Sequence, residues 1–155
     1  MFANLLVAIS NINCIFPLAL SFQHKDFYTF LSLLFVSTAS FVSHLVENHK
    51  HGMLGLPFIS QQTSYIWNRF DVLGCIIVFT RFLYLYYGRH GCNLEILLHN
   101  RLLVIGLMGL GLILFISEYD KYNATLKVLY IITHCIWHLG IFLWLELFLK
   151  RIVYV

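Results

Sequence analysis

The chain has 155 residues, of which 60% are hydrophobic and only 11% charged, with a mean hydropathy of +0.81 and a formal net charge of +3. That length holds one domain and argues against a two-domain enzyme, and the positive charge is spread along the chain without a basic cluster, so there is no support for nucleic acid as a partner. Soluble globular chains carry about 25% charged residues, so the composition points to an integral, multi-pass membrane protein; with 2 prolines and apolar blocks near the ~20-residue span length, an all-α, polytopic transmembrane helical bundle is expected rather than a barrel.

Five spans are expected in a single transmembrane domain over residues 1–155, at about 3–22, 27–47, 69–88, 101–117 and 125–149. No Lys or Arg precedes the first apolar run, so it lacks the charged start of a cleaved signal peptide and is read as a helix that stays in the protein. Asn11, Asn13 and Pro17 interrupt this span, and the two amides are expected to face neighbouring helices as packing contacts. His24-Lys25-Asp26 is a short polar turn, which implies an antiparallel hairpin into the second span. There Ser37, Ser40, His44 and Glu47 follow at steps that keep all four on one helix face. Such a stripe is costly against lipid, so it should face protein or a water-filled cavity.

Residues 48–68 read as the longest connection, punctuated by Gly52, Gly55 and Pro57, with Tyr65 and Trp67 suited to a membrane interface. His49 and His51 are available ligand types, but a polar loop in water accounts for them. The third span carries Asp71 near its start; Arg81, two to three turns further on, is expected to snorkel toward the Gly88 side among Tyr84, Tyr86 and Tyr87. Residues 89–100 form a polar connection, and Gly106, Gly109 and Gly111 in the fourth span permit close helix approach. Glu118-Tyr119-Asp120-Lys121 marks the exit, Glu146 and Lys150 form an i,i+4 ion pair near the end of the fifth span, and Lys150-Arg151 stops it at the surface. Lys and Arg divide almost evenly between the two sides, so the positive-inside rule assigns no orientation. The glycosylation sequon Asn123-Ala124-Thr125 lies in a short loop and decides nothing. Cys14, Cys75, Cys92 and Cys135 lack CxxC spacing and read as small core residues.

The fifth span holds His134-Cys135-Ile136-Trp137-His138, and four-residue spacing places both imidazoles on one helix face, where they can share a metal ion. Eight His in 155 residues give roughly 0.4 such pairs by chance, so the pair is weak by itself. Topology adds to it. With alternating spans, the second helix ends on the side where the third and fifth begin, and Ser40, His44, Asp71 and His134 fall at depths of about 5 to 14 Å from that surface, with His138 one turn deeper. Three imidazoles with an open fourth position are a ligand set for catalytic zinc. Asp71 is then a candidate proton acceptor or an orienting partner for a His ligand, and Ser40 a candidate hydrogen-bond donor to water or a developing oxyanion. The bland alternative is a buried polar cluster that fixes helix packing without metal.

Ser40-Phe41-Val42-Ser43-His44, Asp71 and His134-Cys135-Ile136-Trp137-His138 together resemble the SxxxH, D and HxxxH signature of the CREST superfamily of membrane hydrolases, which includes the alkaline ceramidases, the progestin and adipoQ receptors, and the branch with myomaker and a GPI-processing phospholipase. The resemblance covers about residues 37–75 and 130–145. It implies a helical bundle with one Zn2+ held by His44, His134 and His138, supported by Ser40 and Asp71, and hydrolysis of an amide or ester in a membrane lipid substrate drawn from the bilayer. The superfamily typically has seven spans where five are found here, and losing two preserves the parity that brings the motif residues to one side.

The alternative is a non-catalytic multi-pass membrane protein that uses the same metal or polar cluster for stability or partner binding. A haem-binding electron carrier would use His44 with His134 or His138, but it leaves the third His and Asp71 unexplained. A channel or transporter has no inverted repeat to support it.

Overall fold

The computed structural model describes residues 2–48, 55–121 and 127–155, and every regular element among them is helical. In chain order these are α1 (Phe2–Ile9), a tightened 3-10 stretch (Ser10–Cys14), α2 (Ile15–Gln23), α3 (Phe27–Val46), α4 (Gln61–His90), the short α5 (Glu95–His99), α6 (Arg101–Lys121) and α7 (Lys127–Phe148), closed by a wider π-type turn over Leu149–Val153. Five helical stretches, Phe2–Gln23, Phe27–Val46, Gln61–His90, Arg101–Tyr119 and Val128–Val153, are long and apolar enough to cross a membrane. The protein is an all-α helical bundle. His49, His51, the sequon at Asn123 and the first residues expected for the fifth span lie outside the described residues.

Local chemistry explains most of the boundaries. Pro17 has no N–H for the carbonyl of Asn13, one turn back, and the backbone just ahead of it tightens into the 3-10 stretch. Lys25, at φ 56°, turns the chain out of α2 in a left-handed residue, and Asp26 caps α3 by accepting from the Thr29 amide at 3.1 Å. α4 begins at Gln61 and not near Arg69, because Ser60 caps it by accepting from the Thr63 amide at 3.1 Å and nothing between there and His90 breaks a helix. Asn68, Arg69 and Asp71 mark where the apolar stretch begins, and the helix extends two turns beyond it. For the same reason α6 runs on through Glu118 to Lys121. Gly91 ends α4 at φ 59°, a conformation that favours glycine.

α3 and α4 run antiparallel, with Asp26 beside Arg81, Val36 beside Gly74 and His44 beside Asp71. α6 and α7 are likewise antiparallel, through Leu103 with Trp144 and Ser117 with His134. The first span lies between the two pairs and touches α3 through Asn4 and α7 through Ser10 and Asn13. The apolar core fills the half of the bundle near Gly88, with Leu33, Val78, Phe82, Leu103, Phe142 and Phe148 among its members. Close approach comes from Gly74, where a Cβ would meet the Cα of Val36 at 2.9 Å; Gly109 and Gly111 have nothing within 4 Å and do not serve the packing expected of them. Cys75 and Cys92 are exposed, on outward faces rather than in the core.

Arg81 reaches toward the Gly88 side, and its partner there is Asp26, at 2.7 Å from Nη2, with Nε donating to Thr29 Oγ1 at 2.9 Å. The rings of Tyr28 and Tyr84 flank the guanidinium at 5.8 and 5.4 Å. Tyr86 instead donates to the Asn93 carbonyl. Tyr154 donates to Asp26 Oδ2 at 3.0 Å and stacks on His24, tying the last residues of the chain to the first hairpin. Burial alone would raise the Asp26 carboxyl, but the Thr29 hydrogen bonds, the Arg81 charge and the Tyr154 hydroxyl outweigh it and hold the group below the ordinary carboxylate range. Burial, then the Asp26 charge, push the Tyr154 phenol well above its ordinary value.

Candidate metal centre

At the opposite end of α3 the polar stripe turns inward. Ser40 and His44 are both buried, and Glu47, just past the end of the helix, has 0% exposure. Asn4 secures this end by donating its amide to the carbonyls of His44 at 3.1 Å and Glu47 at 2.7 Å, adding to the Glu47 amide that reaches the His44 carbonyl at 3.4 Å. α7 presents His134 and His138 from the other side, one turn apart on one face. The three rings form a nearly equilateral triangle, with centroids 4.7 Å apart for His44 and His134, 4.8 Å for His44 and His138, and 4.6 Å for His134 and His138. Their exposures are 3%, 5% and 4%.

One ligand atom from each ring lies within 4.8 Å of the others, so the cluster could hold a metal ion. Nε2 of His44 and Nε2 of His134 are 3.2 Å apart. Two nitrogens bound at 2.0–2.1 Å to a tetrahedral ion stand about 3.3 Å apart, so this edge already has the right length. The outer nitrogens meet oxygen. Nδ1 of His44 is 3.4 Å from Glu47 Oε2, Nδ1 of His134 is 2.7 Å from Ser117 Oγ, and Nδ1 of His138 is 2.8 Å from Ser10 Oγ and 3.3 Å from the Val7 carbonyl. Oxygen partners on the outer nitrogens are the arrangement that metal-binding histidines adopt, because an outer N–H given to oxygen fixes both tautomer and ring orientation; without an ion, the 3.2 Å contact between the two Nε2 atoms is a hydrogen bond in which one of them carries the proton. The donor set therefore fits a cation of the kind imidazole binds.

The five residues singled out in the sequence all come together. Oδ2 of Asp71 lies 3.7 Å from Nε2 of His44, on the inner side of that ring, and its side chain, 19% exposed, is more open than the histidines beside it. Ser40 Oγ lies 3.5 Å from Nε2 of His138. Sequence reasoning placed Glu47 on the correct face but assigned it no contact; it lies at Nδ1 of His44 and also accepts from the Tyr130 hydroxyl at 3.4 Å. Ser10, Ser117 and Tyr130 were missed. Single hydroxyls in apolar segments carry no periodic signal, and only the packing of the first span and of α6 against α7 shows where they point.

The fold and site thus define an all-α bundle of five apolar helical stretches around a buried three-histidine cluster able to take a metal ion. No family model and no solved structure matches the chain. A protein of Acanthamoeba polyphaga mimivirus, "Uncharacterized protein L282", is 58% identical to it over 151 residues, which are 97% of this chain and 99% of the relative. The chain belongs to the same family as that protein.

Proposed function

We propose that this chain is an integral, multi-pass membrane hydrolase of the CREST type, holding zinc on His44, His134 and His138 and cleaving an amide or ester in a membrane lipid. The observation that carries the reading is the convergence of three buried imidazoles with oxygen partners on their outer nitrogens. The SxxxH, D and HxxxH pattern supports it from the sequence, and the five apolar helical stretches support the membrane setting. Zinc in a three-histidine site with an open position supplies a Lewis acid for a carbonyl and lowers the pKa of a water to about 7.

The protein's own groups divide the remaining work. Asp71 sits on the inner side of His44, placed to take a proton from a water at the centre of the cluster. Ser40 faces the same centre from α3, and its hydroxyl is placed to donate to an oxyanion forming there. Glu47 and Ser117 hold the His44 and His134 rings from outside. The burial of all three rings keeps bulk water away from the reacting group, and on this reading a lipid would enter laterally from the bilayer on the side of Asp71, whose side chain is 19% exposed.

The test is a lipid-product screen by mass spectrometry on the detergent-purified, zinc-loaded protein with mixed membrane lipids. Zinc-dependent release of a fatty acid or a free amine, lost in Asp71→Asn, is expected. Stoichiometric zinc with no product from any lipid class would overturn the enzymatic reading in favour of a structural metal site.

A further inference from the structure

We propose that Ser10, on the first span, is a positioning residue that holds His138 in its Nδ1–H tautomer and so turns a bare Nε2 lone pair into the histidine cluster. The consequence for metal binding rests on the reading of the cluster as a metal site; the tautomer itself does not.

A serine hydroxyl has one hydrogen to give, and a backbone carbonyl can only accept. Ser10 Oγ lies 2.6 Å from the Val7 carbonyl oxygen and 2.8 Å from Nδ1 of His138. The shorter contact joins the hydroxyl to a pure acceptor, so the hydrogen of Ser10 belongs to Val7. Its oxygen then faces Nδ1 as an acceptor, and Nδ1 must bring the hydrogen. The same nitrogen is 3.3 Å from the Val7 oxygen, a second acceptor on the same side. In the other tautomer a bare Nδ1 would face that carbonyl lone pair to lone pair, and Ser10 would have to abandon Val7 to relieve it.

A neutral imidazole has one N–H, so placing it on Nδ1 leaves Nε2 unprotonated. Nε2 lies 3.5 Å from Ser40 Oγ, which can donate to it, and on the side of the ring away from Ser10. Ser10 and His138 are 7% and 4% exposed, so water offers little competition for these partners. Ser10 opens the 3-10 stretch, and its hydroxyl closes back on the carbonyl three residues earlier, which fixes the direction in which its lone pairs point. The first span thereby does more than pack between α3 and α7.

The experiment is 15N NMR of the full chain labelled at histidine, in detergent and without metal, at a pH where the imidazoles are neutral. The His138 signals are assigned by their loss in His138→Asn. We expect Nδ1 of His138 to be the protonated nitrogen in the wild type and in Ser10→Thr, and Ser10→Ala to give a mixture, because it loses the 2.8 Å acceptor and keeps only the one at 3.3 Å. Zinc competition should show Ser10→Ala weaker by about 10-fold or more, the range for loss of an outer partner of a metal-bound histidine, with Ser10→Thr close to wild type. A wild-type His138 protonated on Nε2 overturns the proposal, as does a Ser10→Ala protein identical to wild type in tautomer and zinc affinity. If Ser10→Ala does not fold, the wild-type and Ser10→Thr spectra decide. A wild type that takes no zinc defeats the metal-site reading instead, and the NMR result still decides the role of Ser10.

Discussion

The two ends of α3 carry polar clusters of opposite balance. At its start, donors and acceptors match: Arg81, the Thr29 amide and hydroxyl, and Tyr154 all give hydrogens to the Asp26 carboxylate or to one another. At its other end, nitrogen faces nitrogen, with Nε2 of His44 and His134 at 3.2 Å and the outer nitrogens occupied by oxygen. Both clusters offset the cost of burying polar groups, in different ways. A matched network is complete as packing. Three converging imidazoles could also hold a metal ion.

This contrast is most sharply broken by removing one member of each cluster. His138→Ala should reduce zinc affinity more than ~100-fold, beyond the usual loss for an outer partner, measured by competition with a chelating dye, and the cavity it leaves at a buried site should also lower the melting transition of the metal-free protein. Arg81→Met should affect stability alone. It leaves a mostly buried carboxylate without its cation, costing about 2–3 kcal/mol in unfolding free energy, with zinc stoichiometry unchanged; the double variant with Asp26→Asn should recover part of the loss.

Gly74→Ala probes the helix contact between the two clusters. Its Cβ would meet the Val36 backbone at 2.9 Å, so α3 and α4 must separate, at a cost of about 1–2 kcal/mol. On the proposed hydrolase reading, turnover should fall more than zinc content, because Asp71 sits one turn from Gly74.

The smallest effect is that of acid on the Asp26 network. The folded-state pKa of Asp26 lies below its unfolded value of about 3.9. Its stabilising contribution is therefore present in full above that value and is lost as pH falls through the lower, folded-state one. Melting temperature measured from about pH 6 to about pH 3 should drop less steeply in Arg81→Met than in wild type.

Much of this was legible in the residues. Strong apolar blocks announced the helices, and parity placed His44, Asp71, His134 and His138 toward one side of the bundle because alternating spans leave little choice. Helix starts were less legible: the start of α4 is set by the Ser60 cap and not by the polar Asn68, Arg69 and Asp71, which mark an apolar boundary within the helix. Partners were the least legible. Arg81 finds Asp26 across a hairpin, and Ser10 and Ser117 find their histidines across helix interfaces, where no local spacing in the chain records the meeting.

The most direct measurement is the metal content of the detergent-purified wild type, after zinc loading and dialysis, beside His138→Ala. We expect one zinc per chain in the wild type and none retained in the variant. A wild type that keeps no stoichiometric zinc would contradict the metal centre and leave the three histidines as packing.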